Sequence, residues 1–358
     1  MSVLLVATIY RCGEKVYPLV EPLAEKYGCD VLLLGQMSPG TPWAGDVDVR
    51  HPFYDLCKRV CGQVFEGATF KELAKSCENG KALCRGIDFK KYDLIIFDDN
   101  LCKVARGTPA IYRWAKHFDI PVVACPHGNR EYDGYIHRQI GWAYDYSFVF
   151  GPKDCREWGA SDKIFPGGVP SNDDLSSYDL NQKHILVIPN YTRKKDQKET
   201  GYLFFHEERF VESGVLELSE KTGCKIIVKE KSRFPKSRQC DSLRKALSKY
   251  PNVECIYDVD DDNQLIADSK YVVSAPSTLA FKSIQLGIPT AVLDGYGMIG
   301  SLKGFQGLVP LDSTKIANTL QDQEESGRDL SFIRDTLSGG EDFNATETYM
   351  TTIARLLK

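Results

Sequence analysis

The chain has 358 residues, with 45 Lys and Arg against 49 Asp and Glu, a formal net charge of −4. Its 42% hydrophobic and 11% aromatic content suffices for proper cores, which excludes wholesale disorder, and the length suggests two domains while allowing three. No run approaches the ~18 apolar residues of a membrane span, and Met1-Ser-Val-Leu-Leu-Val6 lacks the basic flank of a signal peptide, so a soluble, cytoplasmic protein is expected.

In chain order, Val3–Ile9 is a run of leucine and β-branched residues that reads as a buried strand. A loop containing Gly13 follows, then a helix over Tyr17–Tyr27 and a strand over Asp30–Gly35. Strand–helix–strand is the unit of a parallel sheet. The pattern recurs with a strand at Tyr92–Phe97, a helix at Thr108–Phe118, and strands at Pro121–Cys125 and Tyr146–Phe150. Between Pro166 and Asp179 the composition turns to Gly, Pro, Ser, Asn and Asp, the signature of a linker.

A second alternating series then begins. Strands are expected at His184–Ile188, Lys225–Val228, Val253–Tyr257, Tyr271–Val273 and Thr290–Leu293. Helices are expected at Phe205–Thr222, Cys240–Lys249, Asp262–Asp268, Leu279–Leu286 and, last, Ala345–Lys358. No tandem repeat of 20–50 residues is visible. The expected fold class is α/β, two Rossmann-like doubly wound domains facing a cleft, over residues 1–170 and 181–340, with a C-terminal helix at 341–358.

The twelve cysteines are scattered from Cys12 to Cys255 with no Cys-x-x-Cys and one close pair, Cys57 and Cys61. That is the pattern of reduced thiols acting as small hydrophobes. The six histidines, at 51, 117, 127, 137, 184 and 206, show no ligand spacing, and no metal is expected. The acidic run Asp258–Asp262 lacks the glycine and terminal glutamate of a calcium loop and precedes a helix, so it reads as a cap.

Ligands of doubly wound sheets bind beyond the carboxyl ends of strands, near helix N-termini. After the first strand, Thr8-Ile-Tyr-Arg-Cys-Gly-Glu14 offers Arg11 and Glu14; it is not a Gly-x-Gly-x-x-Gly fingerprint. After Phe97 comes Asp98-Asp99-Asn100, a helix cap or a general base. Pro126-His127-Gly128 places an imidazole at a strand end, where it can accept a hydroxyl proton or serve as a turn residue.

In the second half the strand ends carry cations: Arg193 and Lys194 after one strand, Lys229 and Lys231 after another. Lys221–Lys249 holds ten Lys/Arg against two Asp/Glu, a local balance of +8. Positive charge gathered there fits a polyphosphate. Ser274-Ala-Pro-Ser277-Thr278 then leads through a helix bearing Lys282 to Gly287-Ile-Pro289, with Asp294 beyond the next strand. Hydroxyls and free amides at that helix N-terminus can hold a phosphate.

These segments resemble the GT-B glycosyltransferase superfamily, and most closely its CDP-glycerol glycerophosphotransferase and capsule polysaccharide transferase branch. His184–Arg193 resembles that group's strand-Ala-Pro-Thr-x-Arg segment, Pro126-His127-Gly128 its His-Gly motif, Ile227-Val-Lys229 the start of Lys-x-His-Pro, and Ser274–Pro289 its donor-phosphate helix. Lys231 replaces the second histidine of Lys-x-His-Pro, and Lys282 replaces a glutamate that holds ribose hydroxyls in many such enzymes. A lysine cannot accept those bonds, so the donor sits differently or is more highly phosphorylated. A second likeness, ranked below the first, is to UDP-N-acetylglucosamine 2-epimerases, in Arg11-Cys-Gly-Glu14 and Pro18-Leu19; the epimerase Ser-Gly-Gly is here Pro276-Ser277-Thr278.

The resemblance implies a metal-independent glycosyltransferase or polyol-phosphate transferase, with an N-terminal acceptor domain and a C-terminal nucleotide-donor domain. The nucleotide-activated donor is a co-substrate, no cofactor is implied, and the hydroxyl acceptor is a glycan or a polyol, while the basic stretch 221–249 also admits modified DNA. His127 is the implied base, with Glu14 and Asp98 as substitutes; Arg193, Lys194, Lys229, Lys231, Ser274, Ser277, Thr278, Lys282 and Asp294 are the donor-binding set. The alternatives are a nucleotide-sugar 2-epimerase, a DNA-modifying glycosyltransferase acting on a hydroxylated base, and a non-catalytic nucleotide-binding module.

Overall fold

The computed structural model describes residues 1–7, 10–35, 52–69, 87–98, 107–126, 140–141, 143–157, 161–189, 207–229, 244–256, 259, 261–275, 277–294, 302–310, 315–327, 329–337 and 344–358. They form two compact units, one from the residues up to Asp173 together with Arg334–Lys358, the other from Asp174–Ile333.

The first unit begins β1 (Val3–Ala7), α1 (Tyr10–Tyr27), β2 (Cys29–Gly35), α2 (Pro52–Val60) and β3 (Val64–Thr69). It continues β4 (Leu94–Phe97), α3 (Gly107–His117), β5 (Val122–Ala124), β6 (Tyr146–Val149), α4 (Pro152–Glu157) and β7 (Ile164–Pro166). The seven strands lie in the order β3-β2-β1-β4-β5-β6-β7, with every pairing parallel. All five residues of β1 are buried, because its two faces feed two different cores. Leu4 and Val6 join Ile95, Phe97, Ile111 and Tyr112 on one face; Val3, Leu5 and Ala7 join Leu19, Leu23, Phe53 and Ile96 on the other. A parallel sheet covered on both faces requires this continuous apolar run, and each such side chain contributes about 1.5–3 kcal/mol relative to exposure.

The structure corrects the first loop. Residues 10–16 are helical, so Gly13 and Glu14 lie within α1 and not in a turn. Pro18 and Pro22 sit inside that helix, and each removes a backbone hydrogen bond. Their spacing of four puts both on one half-buried face, away from the fully buried stripe Val16, Leu19, Val20 and Leu23.

The second unit holds β8 (His184–Ile188), α5 (Glu207–Glu212), α6 (Val215–Thr222), β9 (Lys225–Lys229), β10 (Val253–Ile256), α7 (Asp262–Ala267), β11 (Ser269–Ser274) and α8 (Thr278–Gln285). It ends with β12 (Thr290–Asp294), β13 (Leu308–Pro310), α9 (Ile316–Ser326) and α10 (Leu330–Thr336), whose residues from Arg334 on belong to the first unit. Its strand order, β10-β9-β8-β11-β12-β13, repeats that of the first six strands of the other sheet, again all parallel. The single helix expected over Phe205–Thr222 is two: Gly214, at φ +75°, breaks it between Glu212 and Val215. The acidic run caps α7 as expected, since the Asp261 carboxylate accepts from the amides of Asn263 (2.8 Å) and Gln264 (3.1 Å).

The chain closes with α11 (Ala345–Leu356), which packs on the first unit. The Asp173 carboxylate accepts from the Ala345 and Thr346 amides at 2.7 Å each, and the Tyr349 ring stacks on Phe148 at 3.7 Å between centroids.

Candidate functional site

Both sheets have the strand order 3-2-1-4-5-6 at their core, whose topological switch point lies between the first and fourth strands. In the first sheet that point is the carboxyl end of β1 beside β4. Asp98 follows β4 there, fully buried, with its amide donating to the Val6 carbonyl at 3.1 Å. Glu14 belongs to α1, the helix that follows β1. His127 lies outside the described residues.

In the second sheet the equivalent point lies between β8 and β11. The Ala275 amide donates to the Ile188 carbonyl at 3.0 Å, the counterpart of the Asp98–Val6 bond. Ser274, fully buried at the end of β11, donates to the Ala275 carbonyl, and its Oγ lies 3.2 Å from that of Ser277. Ser277 is the N-cap of α8, in extended conformation, and its Oγ accepts from the Ala280 amide at 3.3 Å. The apolar side chains Ala280, Phe281 and Ile284 bury one face of α8 and orient its N-terminus at the strand ends. Thr278, the first helical residue, is exposed. A helix start of this kind presents backbone N–H groups and positive dipole to an anion.

Two of the sequence-derived lysines converge on the first turn of α7. Lys229, at the end of β9 with its side chain 12% exposed, pairs with Asp262 at 3.2 Å. Lys282, on α8, donates to Asn263 Oδ1 at 2.6 Å. The two ammonium groups are thereby held at the first turn of α7 by side chains that the motif reading did not single out as partners. Asn263 and Asp262 escaped that reading because only the fold brings α7 beside α8. Asp294 ends β12, while Arg193, Lys194 and Lys231 fall outside the described residues. Among the described residues, no group of three or more His, Cys, Asp or Glu side chains is placed to hold a metal, and no helix is long and apolar enough to cross a membrane.

No family model matches this chain, and no curated protein matches it in sequence. Solved structures do match in fold. One is a Listeria monocytogenes protein provisionally described as a UDP-N-acetylglucosamine 2-epimerase, with TM-score 0.68 and 15% identity, covering 99% of this chain and 96% of that one. Another is the Neisseria meningitidis UDP-GlcNAc 2-epimerase bound to UDP-GlcNAc, with TM-score 0.64 and 16% identity, covering 99% and 100%. The Anabaena protein HepE, in complex with UDP and glucose, matches with TM-score 0.56 and 12% identity over 99% of each chain. At these identities the likeness defines the fold: two Rossmann-like α/β domains of the GT-B-like type. It lends nothing to the CDP-glycerol branch in particular, since the matching structures named for an activity here are epimerases.

Proposed function

We propose that this protein acts on a nucleoside diphosphate sugar, with UDP as the nucleotide, and inverts the sugar at C2 as a 2-epimerase. The observation that carries this reading is the end-to-end fold likeness to UDP-GlcNAc 2-epimerases, which covers 99% of this chain and 100% of the Neisseria protein. The hydroxyl-capped helix α8 at the second switch point supports it as a place for the diphosphate.

Epimerisation and glycosyl transfer share a first requirement. The bond from the sugar C1 to the diphosphate must weaken, and negative charge grows on the departing phosphate, where fixed cations and helix amides help most. Ser274, Ser277, Thr278, Lys229 and Lys282, with Arg193, Lys194 and Lys231, are the residues assigned to that task. The reactions part at the sugar. A transferase needs an acceptor hydroxyl and a base for its proton; an epimerase needs a base that takes the C2 proton from one face and an acid that returns it to the other. His127, Glu14 and Asp98 are the candidates for these proton transfers, and buried Asp98 stands at the first switch point. The transferase reading keeps one specific argument: Pro276-Ser277-Thr278 stands where epimerases carry Ser-Gly-Gly.

The test is incubation with UDP-GlcNAc in D2O, without acceptor or metal, followed by proton NMR. Epimerisation exchanges the C2 proton for deuterium and yields the C2 epimer, and Asp98→Asn lowers that exchange by orders of magnitude. UDP-GlcNAc that binds but neither exchanges nor epimerises overturns the 2-epimerase and returns the transferase. No binding of UDP or UDP-GlcNAc overturns both.

A further inference from the structure

The register of the second sheet sets three side chains in one row at its carboxyl edge. Ile188 of β8 pairs with Ser274 of β11 on one side, and the pairing of Val187 with Val228 puts Lys229 opposite Ile188 on the other. Neighbours of this kind in a parallel sheet project to the same face. That face is the one α7 and α8 cover, where Leu186, Ile188 and Val272 pack with Leu265, Ile266 and Leu279. Strand spacing puts the Lys229 and Ser274 Cα atoms roughly 10 Å apart, and Ser274 lies against Ser277, the cap of α8.

The two partners in the Lys229–Asp262 pair are unequally placed. The Lys229 side chain is 12% exposed and that of Asp262 is 41% exposed. An ammonium so far withdrawn from water needs an anion beside it. Asp262 has no matching need of Lys229. Water reaches its carboxylate, and it is the first residue of α7, where a helix start favours negative charge. Its neighbour Asn263 meets Lys282 through a neutral amide oxygen, so Asp262 brings the negative charge to this pair of contacts. Lys229 can therefore give up Asp262 when another anion takes its place, and the released carboxylate returns to water.

We propose that Asp262 is the exchangeable counterion of Lys229: it holds the ammonium in the unliganded protein and is displaced by a phosphate of the ligand. This rests on the assignment of Lys229 and the start of α8 to a diphosphate. One phosphate meets the α8 amides and Ser277, and the other replaces Asp262 on Lys229. Asp262 thereby sets the affinity of the site, because each diphosphate that binds must first break an ion pair. Its return to Lys229 balances the charge again when the diphosphate leaves.

The experiment is titration calorimetry of the full-length protein with inorganic pyrophosphate, without divalent metal. Asp262→Asn raises pyrophosphate affinity at least roughly fivefold, the scale of one partly exposed ion pair. In a Lys229→Gln background the same substitution gives no gain, which separates exchange at Lys229 from plain repulsion between Asp262 and the ligand. Asp322→Asn, on the exposed end of α9, removes the same charge elsewhere and shifts affinity by less than about twofold. Asp262→Ser, which also suits a helix start, repeats the measurement where the Asn variant does not fold. No gain in either Asp262 variant, an equal gain beside Lys229→Gln, or a natural chain that does not bind pyrophosphate overturns the proposal. The 2-epimerase reading is tested separately, by isotope exchange into UDP-GlcNAc. Exchange without the gain removes only Asp262 from the account, and the gain without exchange removes only the epimerase.

Discussion

His184 was legible in sequence only as the first residue of a strand. In the structure it is 5% exposed, and its Nε2 lies 3.1 Å from both the Leu265 carbonyl and Ser269 Oγ. Burial holds its pKa below the usual imidazole value, outweighing the help from the Leu265 carbonyl and the Asp268 charge. The unfolded chain therefore takes up a proton, as pH falls through about 6.5, that the folded chain refuses, and stability is lost on acidification from that point. Urea melts at pH 7 and 5.5 should show this loss, with His184 contributing no more than about 1.4 kcal/mol per pH unit. His184→Gln, which cannot titrate, should flatten the dependence; an unchanged slope would remove His184 from the account.

At the scale of elements, the central strands were readable because a strand buried on both faces is an uninterrupted apolar run, as in Leu94–Phe97 and His184–Ile188. Of the four edge strands only β10, expected at Val253–Tyr257, was. Val64–Thr69 contains Glu66 and Gly67, and Ile164–Pro166 and Leu308–Pro310 span three residues each, too short to show a period. Their strand character comes from the neighbour that pairs with them. The linker composition around Gly167 concealed a packing role: a Cβ there would stand 2.5 Å from the Tyr349 ring and 2.7 Å from that of Phe148. Gly167→Ala should therefore cost about 1–3 kcal/mol by overpacking this contact between β6 and α11. A thermal melt with no change would show that the rings shift freely.

For the molecule as a whole, the C-terminal helix was foreseen as a helix but its place was not. Tyr349 and Ile353 complete the core beside Leu19, Leu23 and Phe148, a contact across some 330 residues of chain. Ending the chain at residue 343 removes both side chains and the cap that Asp173 provides. Losing one buried large side chain costs about 3–5 kcal/mol, a large share of ordinary domain stability. Scanning calorimetry of that truncation should show the transition of the first unit displaced far downward or lost, while the second unit, Asp174–Ile333, still melts cooperatively. Two unshifted transitions would show that α11 is dispensable.

The candidate site divides along the same line. Asp98, Ser274 and Ser277 could be picked from sequence because they follow apolar runs directly, and a strand end or helix cap is a local property. The partners of Lys229 and Lys282 could not, since Asp262 and Asn263 approach them only once the fold brings α7 to the end of β9 and to α8. By itself the sequence determined the two α/β halves, the buried strands and the capped helices, all written in side-chain spacing over a few residues. Tertiary structure alone decided the strand order, the edge strands β3, β7 and β13, the docking of α11 and the meeting of Cys29 with Cys57 and Cys61. Pairing and burial of that kind are contacts between distant segments, and no short window of sequence contains both sides of them.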